Sequence, residues 1–400
     1  MSGVSQGISL IAIPWFIAND LGRPGLYGLL FLIVTIFTLF WGPYAGTLVD
    51  RHDRKKVMLS IQTAGLLGVA SIAGLGWYWG KTSLWMAAAI MIITKLIYNI
   101  HYPNLYAFAQ EITEKKRYGT ISSAIEVQGQ TTFILSGAVA AFLMEGSFMH
   151  WKFNSWQMHE IFMLDAGTYL LGFILLSAIR YESLVDRGVQ SADSFVSRLK
   201  EGFEYLRDRP LILLFGTLAG FVFASVLVCS FYTIPIFIEK FLNGSESVYG
   251  FTEASFAVGS LLSGFLILFI FPKHKLTFGI IALSLIAGIM YFFIGMNKNF
   301  ILLYIAYAII GFANAGIRIM RTTYIFRVID NHIIGRTGSV FTVINAVFRI
   351  IFIGLFSIPF FASSEYISLT MYILGLFVIL GAVILALNYK KLHALNPNHE

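Results

Sequence analysis

Six ionisable side chains stand inside long apolar stretches of this chain: Lys95, Glu126, Asp165, Arg318, Arg321 and Arg349. A charge near the centre of a membrane-crossing helix costs about 2.5–3.5 kcal/mol on insertion scales, so each one needs a partner or a task. Two tasks fit these residue types, carrying a proton and receiving an anion. Glu126 lies about two turns in from a helix end, where burial would favour its proton and opening would release it. Lysine, unlike arginine, can give up its proton when desolvated, so Lys95 would serve in coupling if a carboxylate approached it. Its alternative is a structural ion pair within the amino-terminal bundle. Lys95, Asn99 and Tyr102 fall on one helical face, which would line a cavity. Asp165 is the third proton-coupling candidate, with capping or pairing between helices as the alternative.

The second half of the chain is cationic. Asn314, Arg318 and Arg321 recur on one face of the tenth apolar stretch, and Arg349 is central in the eleventh, while stretches nine to twelve hold no acid. Such arginines need an anion, either acids of the other half in a latch or a negatively charged part of a ligand. For Arg321, close to the membrane surface, snorkelling to that surface is the alternative. Asn99, Asn314, Arg318, Arg321 and Arg349 are the substrate-binding candidates. Glu253, at the outer edge of the eighth stretch, and Glu111, just below the fourth, read as interfacial.

The elements that must position these groups follow from composition. Hydrophobic residues make up 57% of the chain and charged residues 12%, with a mean hydropathy of +0.76, outside the range of soluble globular chains. A bilayer core needs roughly 20 apolar residues per helical crossing. Twelve stretches qualify, near residues 2–19, 25–48, 57–79, 83–108, 121–145, 158–179, 210–237, 248–271, 276–296, 300–326, 338–361 and 366–388. They are too long and continuous for barrel strands, so the fold class is an all-α membrane protein of twelve transmembrane helices. The first crossing is short, holds Pro14 and has no basic stretch before it, which predicts a truncated first helix.

The longest hydrophilic stretch, residues 180–209, divides the crossings six and six. The expected organisation is an amino-terminal six-helix bundle over 1–179, a cytoplasmic linker over 180–209, a carboxy-terminal six-helix bundle over 210–388 and a tail over 389–400. Two such pseudo-symmetric halves around a central cavity are the plan of a transporter that opens alternately to either face. In the linker, Phe195, Leu199, Phe203 and Leu206 recur at helical spacing. That predicts either an amphipathic helix on the inner membrane surface or a solvated linker helix.

Orientation follows from basic loop residues, which resist translocation. Placing the loop at 49–56 inside puts nineteen Lys and Arg on that side and leaves only Arg23, Lys81, Lys152, Lys240 and Lys298 outside. Trp15, Trp77, Trp79, Trp85, Trp151 and Trp156 then sit near outer ends as an interfacial belt, and both termini are cytoplasmic. The net charge of +7 is thereby explained by topology and gives no support to nucleic-acid binding.

Other classes lack their residues. Cys229 is the single cysteine, so neither an intramolecular disulfide nor a cysteine zinc cluster can form. Gly76-Trp-Tyr-Trp-Gly80-Lys81-Thr82 is one residue short of a phosphate-cradling loop and reads as an outer turn. His52 and His101 have no carboxylate at metal-ligand spacing. The chain is therefore expected to be neither an ATP-driven pump nor an enzyme, and to hold no metal and no cofactor. The expected partners are a small-molecule substrate and the lipid bilayer, the expected state is a monomer, and a proton gradient is the expected energy source.

The pattern Gly46-x-Leu48-x-Asp50-Arg51-x-x-Arg54-Lys55 between the second and third stretches resembles the signature loop of the major facilitator superfamily. The string Val49-Asp50-Arg51-His52-Asp53-Arg54-Lys55-Lys56 is especially similar to its macrolide-efflux and enterobactin-exporter branch, where Asp53 likewise replaces the loop's second glycine. Weaker echoes are Lys200-Glu201-Gly202, His101-x-Pro103 and Gly335-Arg336-x-Gly338. The resemblance implies a gate built from Gly46, Asp50, Arg51, Arg54 and Lys55. Gly46 would let backbones approach, and Asp50 would meet the amino end of the eleventh crossing near Thr337 and Gly338 when the inner side is shut, held ionised by the three bases. Lys95 stands where the resemblance expects an Arg linked to proton coupling, and Asn99 replaces a Gly. The second half's matching loop, Pro272-Lys273-His274-Lys275, is degenerate, and Ser136-Gly137-Ala138-Val139 lacks the proline of many drug antiporters. The implied function is proton-coupled export of a bulky amphipathic compound, a drug such as a macrolide or a siderophore, from a bacterial inner membrane. The alternative is uptake of an anionic siderophore or another organic anion.

Overall fold

The computed structural model describes residues 2–114, 117–145, 147–148, 151–152, 154–181, 195–272, 275–330 and 333–395. Apolar runs of this length cannot leave backbone groups unpaired in lipid, and the chain satisfies them within helices. In order these are α1 (Ser2–Trp15) with a π-helical turn (Phe16–Asp20), α2 (Pro24–Arg51), α3 (Arg54–Trp79), α4 (Leu84–Glu111), α5 (Tyr118–Glu145), a two-residue strand pair β1 (Ser147–Phe148) and β2 (Trp151–Lys152), and α6 (Met158–Ala178). The linker carries α7 (Phe195–Arg207). The seventh crossing is broken into α8 (Pro210–Leu218), α9 (Phe221–Val228), a π turn (Cys229–Thr233) and α10 (Ile234–Lys240). Then follow α11 (Glu246–Ile270), α12 (Leu276–Met296), α13 (Phe300–Val328), α14 (Ile334–Phe356), α15 (Ile367–Leu387) and α16 (Tyr389–Ala394).

Among the described residues, eleven helical segments are long and apolar enough to cross a bilayer. α1 is not one of them, having 14 residues that the five-residue π turn extends. Exposed Phe40, Leu67, Phe265, Phe269, Ile301 and Leu380 give the helices the apolar outer surface that lipid requires.

The chain separates into two compact units, Met1–Ala192 with Ser245–Phe251, and Asp193–Gly244 with Thr252–Glu400. In the first, α1 packs on α5 and α6, α2 on α4, and α3 on α4 and α6. In the second, α9 packs on α14 and α15, and α12 on α13 and α15. α11 crosses α13 so closely that a Cβ on Gly259 would fall on the Ala308 carbonyl oxygen, the small-residue contact expected where lipid gives no hydrophobic drive. The same pairing order thus recurs in each unit, first helix with fifth and sixth, second with fourth, third with fourth and sixth. In each unit the first crossing also carries a π turn.

The linker helix belongs to the second unit and lies on α14. Gly202 sits against the Arg336 backbone with no room for a Cβ, Leu206 is buried, and Glu201 pairs with Arg336 at 2.8 Å. Of its apolar residues, Val196 and Phe203 are strongly exposed, Phe203 by about half. The start of the eleventh crossing is therefore covered by the linker helix.

Candidate functional site

Four of the residues singled out for an anion come together in the second unit. Asn314, Arg318 and Arg321 lie four and three residues apart on α13 and face one pocket, into which α14 adds Arg349. The pocket has a volume of about 300 Å³ and is walled by Phe221, Phe341 and Phe348. None of the described residues lining it carries a carboxyl group.

The broken seventh crossing builds its floor. Between α8 and α9 the Gly220 N–H turns to the Thr217 carbonyl, which leaves the Gly216 carbonyl without its helical donor. Arg321 Nε donates to that carbonyl at 3.0 Å, and its guanidinium lies 5.1 Å from the Phe341 ring centre. Asn345 Nδ2 donates to the Gly220 carbonyl at 3.2 Å. A side chain thus satisfies the carbonyl that the helix break frees. Arg321 is structurally committed there, whereas Arg349 Nε and Asn314 Oδ1 are buried without a hydrogen-bond partner among the described residues. Such atoms suit a ligand that brings its own acceptors and donors.

Asn99, the fifth binding candidate, lies on α4 in the other unit and donates to the Lys95 carbonyl one turn back at 3.0 Å. A cavity of about 530 Å³ in that unit, lined by Trp41, His52, Ser60 and Ile97 among others, has neither Lys95 nor Asn99 on its wall. Asp165 is fully buried on α6 and accepts from Ser9 Oγ of α1 at 3.1 Å. Its second oxygen and the Tyr169 hydroxyl one turn on have no hydrogen-bond partner among the described residues. The side chains of Glu126 and Asp50 lie outside the described residues.

At the signature loop the bases act within their own bundle. Arg54 Nε stands 3.4 Å from Glu111, the two side chains being 12% and 16% exposed, and Arg54 also donates to the Val49 carbonyl. Tyr181 donates to the other Glu111 oxygen, and Asn104 donates to the Arg54 carbonyl at 2.8 Å. Lys55 reaches the carbonyls of Ser177 and Ile179 at 3.2 and 2.6 Å, where a cation suits the carboxy end of α6. Asp53 caps α3 by accepting from Lys56 N at 2.8 Å. Arg51 is exposed in the last turn of α2.

Gly46 has no described atom within 4 Å of where a Cβ would stand in this conformation. Glu111, read only as interfacial, is the acid that pairs with Arg54. Glu253 is only 2% exposed. Sequence reasoning also passed over Asn345, although its four-residue step to Arg349 was available, and the Gly216 and Gly220 break, which lacks the proline that usually signals one.

A family model described as Major Facilitator Superfamily matches residues 1–353. Macrolide efflux protein A of Streptococcus pyogenes is 26% identical over 271 residues, covering 67% of this chain and 63% of that protein. The protein of the same name from Enterococcus faecalis is 28% identical over 231 residues, covering 57% and 67%. The chain thus spans under two thirds of the length of the streptococcal relative. A solved bacterial homolog of the human lysosomal transporter Spinster, inward-facing and unoccupied, superposes with a TM-score of 0.71 at 13% identity, covering 100% of this chain and 98% of that one, a likeness of fold.

Proposed function

Because this chain belongs to the major facilitator superfamily of membrane transporters, we propose that it is a secondary active transporter working by alternating access, exporting a bulky amphipathic organic compound in exchange for protons. The observation that carries this reading is the pocket of the second unit, with arginines, asparagines and phenylalanines on its wall and no acid among the described residues that line it. Aromatic faces suit a large amphipathic body. A purely cationic drug would meet three guanidinium groups, so the cargo bears an acidic group, a carboxylate or a catecholate, that docks on Arg349 and Arg318. The likeness to proteins named for macrolide efflux supports export and a bulky cargo.

In this reading the protein sits in a bacterial inner membrane as a monomer, its basic loops and both termini in the cytoplasm. Asp50 closes the inner gate, and Lys95, Glu126 and Asp165 handle the proton. The same arginines would serve uptake of an anionic siderophore, which is the second reading. Equilibrium binding to the purified protein tests the pocket with two probes, a catecholate siderophore and a macrolide without an acidic group. Arg349→Gln should weaken the catecholate about tenfold or more, as loss of a charged hydrogen bond does, and leave the macrolide within about twofold. Unchanged catecholate affinity in that variant would remove the pocket from the account.

A further inference from the structure

A carboxyl group buried with no base beside it among the described residues lies in the second unit, apart from the arginine pocket. Glu253 stands on α11, seven residues after its first residue, Glu246, which at 1.5 Å per residue is about 10 Å along the helix. It is 2% exposed, and its Oε1 has no hydrogen-bond partner among the described residues. The carboxyl meets the hydroxyls of Ser230 on the π turn and Tyr307 on α13, which are themselves 2.9 Å apart. Tyr291 of α12 and Cys229 of the π turn complete the titratable groups around it, and the Tyr291 hydroxyl is also unpartnered among the described residues.

Among the described residues, the elements packed here bring no cation to it. α12 contains neither Lys nor Arg, and the nearest on α13 is Arg318, eleven residues past Tyr307, about 16 Å along the helix. Lys240 of α10 pairs with its neighbour Glu239 at 3.1 Å. A carboxylate ionised in such surroundings is costly, so the group holds a proton or is stabilised by donors that turn toward it. Three hydroxyls are in place to turn, those of Ser230, Tyr291 and Tyr307, each able to donate to an ionised carboxylate or accept from a protonated one. One of the three rides on a π turn, an irregularity frequent at functional sites.

We propose that Glu253, with Ser230, Tyr291 and Tyr307, is a proton-binding site of the carboxy-terminal half, and that its loss of the proton is linked to rearrangement of the π turn in the seventh crossing. The proton passes between water and the Glu253 carboxyl, leaving a carboxylate that gathers the three hydroxyls. A role for this site in driving cargo rests on the transporter reading; proton binding itself does not.

The only cysteine, fully buried beside Ser230, is a built-in reporter. The test uses full-length protein in proteoliposomes. Infrared difference spectra between low and high pH should show a protonated-carboxyl band that titrates in the wild type, persists in Asp165→Asn and is absent from Glu253→Gln. Labelling of Cys229 by a membrane-permeant maleimide quickens with pH in any variant as the thiol ionises; in the wild type the rise should be at least severalfold greater than in Glu253→Gln, which keeps only the thiol's own dependence. Tyr291→Phe, which removes one donor and little volume, should raise the pH at which both signals change. An unchanged infrared difference in Glu253→Gln, with labelling rising as steeply with pH as in the wild type, overturns the proposal. Flux separates the two readings. Wild-type flux that ignores a pH gradient, with the infrared result intact, sinks proton coupling and leaves the site standing.

Discussion

Arg54 and Arg349 look alike in the sequence, each a guanidinium near or within the membrane, yet their surroundings assign them opposite work. Arg54 has a mostly buried acid, Glu111, at 3.4 Å, so removing either partner strands the other charge and should cost about 3 kcal/mol. Glu111→Gln and Arg54→Ala should each lower the thermal midpoint of the purified protein by several degrees, and the double variant should lose less than their sum. Full additivity would mean that the pair contributes no coupling. Arg349 faces a pocket without an acid, and the binding comparison above is its test. The arginine face was legible because Asn314, Arg318 and Arg321 obey helical spacing. The partner of Arg54 was not, since Glu111 lies 57 residues away and no local pattern encodes a contact between loop ends. Glu253 was misread because distance from a helix end does not reveal which side the neighbouring helices cover.

Among the elements, the loop between α2 and α3 shows how a departure from a family pattern is absorbed. Where the signature resembled here has a glycine, Asp53 caps α3 through Lys56 N. An N-cap aspartate replaced by alanine costs about 1 kcal/mol, and by glycine only a few tenths. Asp53→Ala should therefore lower the melting midpoint measurably while Asp53→Gly stays close to wild type, read by scanning fluorimetry on the purified protein. Equal losses would show that the cap is not what the side chain supplies. The long crossings could be placed from composition alone because lipid admits so few backbone solutions. The breaks in the seventh crossing could not, since Gly216, Ala219 and Gly220 are tolerated in helices and the side chains that donate to the carbonyls there, Arg321 and Asn345, lie about a hundred residues on. The linker helix was foreseen as a helix, but its seat on α14 depends on Gly202 meeting the Arg336 backbone, a fit between elements distant in the chain.

At the scale of the whole molecule, the recurrence of one pairing order in two six-helix units is what a transporter with two moving halves needs, and the six-plus-six division was readable from the single long hydrophilic stretch. Asp50 remains the gate residue of the proposal on the strength of its place in the signature loop. Asp50→Asn should insert and purify like the wild type yet lose most net transport, because an amide answers a helix end's partial positive charge far more weakly than a carboxylate does. The account is tested most directly by flux in proteoliposomes under an imposed pH gradient, with a catecholate siderophore and a macrolide as probes and with wild type, Asp50→Asn and Arg349→Gln side by side. Proton-driven accumulation of the acidic probe against its gradient is predicted, falling about tenfold or more in both variants. Flux indifferent to the pH gradient, or equal in all three proteins, would contradict it.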